Sequence, residues 1–140
     1  MKRMLFVLAI VVFMTGCSAV HKNSVIPISV DSSKSIYIVK NPYQRNNMDK
    51  LIQDEINDMG LTALSGPPLD KNESFKYVLT YFDAWSWDLA PYLRAVEIQL
   101  IDPKTAQIVS RVRFENNMYL HTFPDEKTKV KELITKLFGL

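Results

Sequence analysis

Cysteine is almost absent from this chain: Cys17 is the single one in 140 residues. One thiol excludes an intrachain disulfide and a multi-thiolate metal site. Histidine is nearly as scarce, with two residues, His21 and His121, and a metal site needs more ligands at motif spacing than these supply. Glycine numbers four, at Gly16, Gly60, Gly66 and Gly139. They leave no G-x-S-x-G elbow, no G-x-x-x-x-G-K loop and no G-x-G-x-x-G fingerprint. Composition alone does not exclude Ser-His-Asp chemistry, but no local signature raises it. The expectation is a protein with no metal, no cofactor and no catalytic residues, hence not an enzyme.

A surplus of charge of one sign is also missing. The 17 basic and 15 acidic residues give a formal net charge of +2. Lys2 and Arg3 account for that whole excess, so the remaining 15 basic residues face 15 acidic ones. A balanced chain has no overall electrostatic case for nucleic acid, and none is expected as a partner.

What is present starts at the N-terminus, MKRMLFVLAIVVFMTGC. Lys2 and Arg3 form a positive region, and Met4 to Phe13 form an apolar run. That run is short for a bilayer span but normal for the core of a signal peptide. Met14-Thr15-Gly16-Cys17 follows. This arrangement resembles the lipobox of bacterial lipoproteins, with Met14 in place of the commoner Leu. The resemblance implies that residues 1–16 are a cleaved signal peptide. It also implies that Cys17 receives a diacylglyceryl group on sulfur and an acyl chain, such as palmitate, on its new amine. Two or three acyl chains, at about 0.8 kcal/mol per buried methylene, anchor far more strongly than one. In enterobacterial-type lipoproteins an Asp after the lipid-bearing Cys favours retention in the inner membrane. Ser18 stands there instead, which implies the outer membrane, facing the periplasm. The competing reading is an ordinary secreted protein with an accidental cysteine.

The rest is sized for one small domain. Residues 17–34 are mostly small and polar around Val25-Ile26-Pro27-Ile28, and read as a lipidated tether with a short edge-strand contact. Residues 35–140 read as a single α+β domain. Strands are expected at 35–39, 61–64, 75–84, 92–101 and 108–119. A first helix, capped by Asn46-Asn47 and stopped by Gly60, carries Met48, Leu51, Ile52, Ile56 and Met59 on one face, with Asp49, Asp54, Glu55 and Asp58 mainly elsewhere. A second helix, opened by Pro124-Asp125-Glu126, places Val130, Leu133, Ile134 and Leu137 in one stripe, with Lys127, Lys129, Lys131 and Lys136 outward. The order β-α-β-β-β-β-α predicts a two-layer sandwich: a mainly antiparallel sheet of four to five strands, with two amphipathic helices on one face. This order, together with the lipobox, is similar to small α/β envelope accessory lipoproteins, among them penicillin-binding-protein activators and auxiliary lipoproteins of envelope transporters.

Candidate site residues concentrate in FDAWSWDLAPY, Phe82 to Tyr92. It holds both tryptophans of the chain, Trp85 and Trp87. They share parity on a strand that Pro91 and the Asp88-Leu89-Ala90 run are expected to end. The expectation divides them: one ring packs inward, and the other joins Tyr92 at a partly exposed docking edge, with Asp83 and Asp88 setting polarity around it. Asp83 and Asp88 also invite a carboxylate-pair reading of the glycosidase kind, weighed against simple loop aspartates. Arg94, Arg111 and Arg113 invite an anion site, weighed against cross-strand pairing with Glu97 and Glu115. The resulting expectation is an outer-membrane-anchored, non-enzymatic accessory or interaction module. Its partners are the membrane, through Cys17, and an envelope protein. The alternative is a binding protein for a small envelope ligand, a lipid or a wall fragment. A deep apolar pocket would favour the alternative, and an exposed aromatic patch would favour docking.

Overall fold

The computed structural model describes residues 19–24, 36–44, 46–70, 75–116 and 123–140. The expected signal peptide, Cys17, Val25 to Ile28 and His121 lie outside them. Six strands and two helices follow in order among the described residues: β1 (Ala19–Ser24), β2 (Ile36–Val39), α1 (Met48–Asp58), β3 (Ala63–Gly66), β4 (Tyr77–Asp88), β5 (Ala90–Asp102), β6 (Gln107–Glu115) and α2 (Glu126–Phe138). They make one sheet of order β1-β6-β5-β4-β2-β3. Neighbours from β4 through β5 and β6 to β1 are antiparallel. Strand β2 runs parallel to both β3 and β4; between β2 and β3, α1 carries the chain back, as a parallel crossover requires.

The fold is α+β, with both helices on one face of the sheet. Period-two alternation puts Ile38, Leu79, Tyr81, Ile98, Leu100, Val112 and Phe114 on that face. They merge with Met48, Ile52 and Ile56 of α1 and with Val130, Leu133, Ile134 and Leu137 of α2 into one buried cluster. Helices α1 and α2 also touch each other above it.

Several details differ from expectation. The sheet has a sixth strand: the segment expected to be a tether with a short edge-strand contact pairs with β6 over six residues, Ala19–Ser24, ahead of Val25 to Ile28. Asn47 precedes α1 in left-handed backbone and makes no capping bond from its side chain. Gln44 takes that role, its Oε1 accepting from the Asp49 amide at 3.3 Å. Asp49 and Glu55, expected mainly off the apolar face, are buried at 5% and 2% exposure. Within the expected opening of α2, Asp125 is the cap, accepting from the Thr128 amide at 2.8 Å, and the helix begins at Glu126. Lys129 is not outward either: its ammonium lies 4.9 Å from the centre of the Phe114 ring and 2.6 Å from Glu132 Oε2.

Candidate functional site

Strand β4 does not end before the tryptophans. It runs on to Asp88, and β5 begins at Ala90, so FDAWSWDLAPY is the tip of a long hairpin. Pro91 fits because a proline near the start of a strand forgoes little of the ladder. Asp88 pairs with Ala90, Trp87 with Pro91, Ser86 with Tyr92 and Trp85 with Leu93. Leu89 alone makes the turn, at φ 60°, in a left-handed conformation that costs a non-glycine residue about 1–2 kcal/mol. Its side chain is 92% exposed.

A bulge sits at the base of the tip. Ala84 pairs with Ala95 but Trp85 pairs with Leu93, leaving Arg94 as the extra residue. Bulges bend a strand and increase its twist. The Arg94 carbonyl accepts from the Asn116 amide at 2.8 Å, and the Asn116 side-chain amide donates to the Leu93 carbonyl at 3.4 Å. Buried Asn116 therefore clamps the bulge to the end of β6.

The two tryptophans are divided. Trp85 packs against the core cluster, and its indole Nε1 donates to Asp83 Oδ2 at 2.8 Å. Trp87 is 72% exposed. Tyr92, expected beside it at an exposed edge, is instead 6% exposed. Its ring meets Phe123 edge-on, with centres 5.6 Å apart. Beyond the bulge the tip thus carries Trp87, Leu89, Ala90 and Pro91 exposed together, with exposed Asp88 among them.

Asp83 and Asp88 do not form a close pair. Both lie on β4, where five residues of extended chain span roughly 16 Å. Glycosidase carboxylates stand about 5–9.5 Å apart. The arginines separate too. Arg111 and Arg113 flank Glu97, at 3.6 and 3.7 Å, and Arg113 also meets Glu115 at 3.0 Å. Arg94 stands apart on the bulge, exposed. Cross-strand pairing therefore accounts for Arg111 and Arg113. Beside this charged ladder, a depression of about 120 Å³ is lined by Thr80, Tyr81, Phe82, Glu97 and Gln99.

The edges of the sheet place the N-terminal end. Ala19 pairs with Glu115, Glu115 with Ala95, and Ala95 with Ala84. These four residues form one row across the sheet, at the base of the hairpin tip. Strand β1 runs in the same direction as β5, away from that tip. Ala19, at the start of β1, therefore stands at the end of that strand nearer the tip. Sequence reasoning singled out Trp87 but missed Leu89 and this row, because strand register is not written in a single sequence.

No protein-family model matches this chain, and no curated protein does. Solved structures do. One is a point variant of the PelC dodecamer from Paraburkholderia phytofirmans. It is 14% identical at a TM-score of 0.64, covering 88% of this chain and 96% of that one. A second PelC dodecamer structure from the same organism is 14% identical at a TM-score of 0.61, with the same coverage of 88% and 96%. At this identity the likeness establishes a shared fold.

Proposed function

We propose that this protein is a lipoprotein anchored through Cys17 in the outer membrane, and that its domain serves there as a non-enzymatic accessory or interaction module. The observation that carries the reading is the position of β1. The sheet begins at Ala19, two residues after the cysteine of the lipobox-like sequence, so little free chain separates the anchor from the domain. An anchor that close holds the domain at the membrane face and fixes which end meets it. High local concentration then replaces intrinsic affinity for a partner confined to the same surface.

The first partner to test is a second copy of this chain, since two structures of the same fold are dodecamers. The small-ligand alternative has less support. Among the described residues, the depression beside Phe82, about 120 Å³, is below the roughly 300–1,000 Å³ of ordinary ligand pockets, and charged and amide side chains contribute to its lining. The space between sheet and helices is filled by the core cluster.

Crosslinking in intact cells, followed by identification of the captured species, tests the module reading. The expected result is a discrete set of crosslinked bands containing this chain or an envelope protein, lost when Cys17→Ser releases the protein from the membrane. Capture unchanged by Cys17→Ser would contradict the proposal that anchoring drives association. Ser18→Asp should move the protein toward inner-membrane fractions. Native protein found mainly in those fractions would contradict the outer-membrane assignment.

A further inference from the structure

We propose that the β4–β5 hairpin tip is a second membrane contact, with Trp87 and Leu89 inserting into the boundary between headgroups and acyl chains beside the lipid on Cys17. This rests on the reading of Cys17 as the anchor, and it adds a site and a depth to it.

The argument begins with direction. Cys17 is two residues from Ala19, so it lies within about 7 Å of that residue whatever path the chain takes. Ala19 stands in the cross-sheet row of Glu115, Ala95 and Ala84. Beyond that row β4 continues through four residues, Trp85 to Asp88, before the turn. At about 3.3 Å per residue the tip projects roughly 13 Å past the row. Measured along β4, the tip thus extends farther than two residues of chain reach from Ala19, at the same end of the sheet. Interfacial apolar groups sit about 5–10 Å into the headgroup and acyl boundary. A lipid on Cys17 thus brings this end of the sheet, with the tip, to that boundary.

The chemistry of the tip agrees. Tryptophan combines a large apolar ring with an N–H that water or headgroups can satisfy, and is enriched at membrane interfaces. Leu89 is a bulky apolar residue in left-handed backbone, fully outside the core. Intramolecular packing does not account for its side chain, whereas insertion into lipid does. The exposed acid Asp88, near Trp87 and Leu89, gives no attraction for anionic headgroups, so insertion is apolar in origin. The far end of β5 is different: its turn carries exposed Lys104 and Thr105, and it points away from the membrane.

The test exploits the single cysteine and the two tryptophans. Protein comprising residues 17–140, which hold every strand and helix described above, is coupled through Cys17 to a maleimide phospholipid in phosphatidylcholine vesicles. The acyl chains are brominated near the headgroup. In the Trp85→Phe variant the emission of Trp87 should shift to the blue and be quenched by bromine in phosphatidylcholine alone, with no gain from added phosphatidylglycerol. Adding Leu89→Asp should abolish both effects. If Trp85→Phe disturbs folding, the wild-type signal that Trp87→Phe removes gives the same reading. A reporter at the opposite turn (Lys104→Trp with both native tryptophans changed to Phe) should remain unquenched.

Three results would overturn the inference: no quenching of Trp87, equal quenching of both reporters, or a blue shift without quenching, which would mean that the tip packs against another protein copy. Chemical coupling supplies the anchor in every arm. A failure here is therefore separate from a failure of native lipidation, which is read from the mass of Cys17 in protein isolated from cells.

Discussion

Trp85 donates its indole N–H to the carboxylate of Asp83, two residues earlier on the same strand, at 2.8 Å. The bond gives a half-buried indole a partner for its one polar atom. It leaves the apolar part of the ring against the core, at the base of the hairpin whose tip exposes Trp87.

The two tryptophans should therefore respond differently to truncation. Trp85→Ala should cost about 2–3 kcal/mol, below the 3–5 typical of fully buried rings. Trp87→Ala should change stability by less than about 0.5 kcal/mol. Urea unfolding followed by circular dichroism distinguishes them. Equal losses would mean that both rings serve the core.

Leu89 should be a site where stability and membrane contact oppose each other. Asn tolerates left-handed backbone better than Leu, so Leu89→Asn should raise the stability of the free protein by about 0.5–1 kcal/mol. The same change should weaken vesicle insertion. A destabilised variant would show that Leu89 is held by contacts within the fold.

Packing under α2 should dominate its charge. Leu133→Ala or Ile134→Ala removes a side chain with no exposure and should cost about 2–5 kcal/mol. Lys129→Ala should cost more than an ordinary surface change, about 0.5–1.5 kcal/mol. It loses the Phe114 ring contact and the bond to Glu132 together. Thermal melts that rank Lys129 with exposed Lys131 would contradict this.

Acid should loosen α2. Bonds from the Thr128 hydroxyl and amide hold Asp125 below the usual carboxylate range. The Lys129 and then the Lys136 ammonium do the same for Glu132. A lowered folded value means stability that is complete above the ordinary range near 4 and lost as pH falls through the folded values. Unfolding midpoints measured from about pH 5 to pH 2 should decline, and the double variant Asp125→Asn, Glu132→Gln should flatten that decline. At the other extreme, burial pushes the Tyr81 hydroxyl up to about 12. Its contribution is present below the ordinary phenol value near 10 and lost as pH rises through the folded one.

Much of this fold was legible because periodicity is local. The stripe Val130, Leu133, Ile134, Leu137 marked α2, and alternation marked the meander of β4, β5 and β6. What escaped depended on partners far along the chain. AVHKNS has no alternating apolar pattern, and only its backbone pairing with β6 makes it a strand. Glu55 lies one helical turn from Ile52, on the buried stripe. Its Oε1 has no hydrogen-bond partner, and the Lys127 ammonium stands 3.9 Å away. A charged side chain in that place overrides what polarity alone predicts. Pro91 and Asp88 read as breakers, yet the β4–β5 ladder closes across them. The burial of Tyr92 is not legible locally because Phe123, whose ring meets it edge-on from beyond β6, is remote in sequence.

The anchor on Cys17 is the central claim, and mass spectrometry of the N-terminal peptide tests it most directly. Protein isolated from membranes of cells fed a fatty-acid analogue should begin at Cys17. It should carry a diacylglyceryl group and label, and Cys17→Ser should abolish both. An unmodified Cys17, or equal label in Cys17→Ser, would contradict the account.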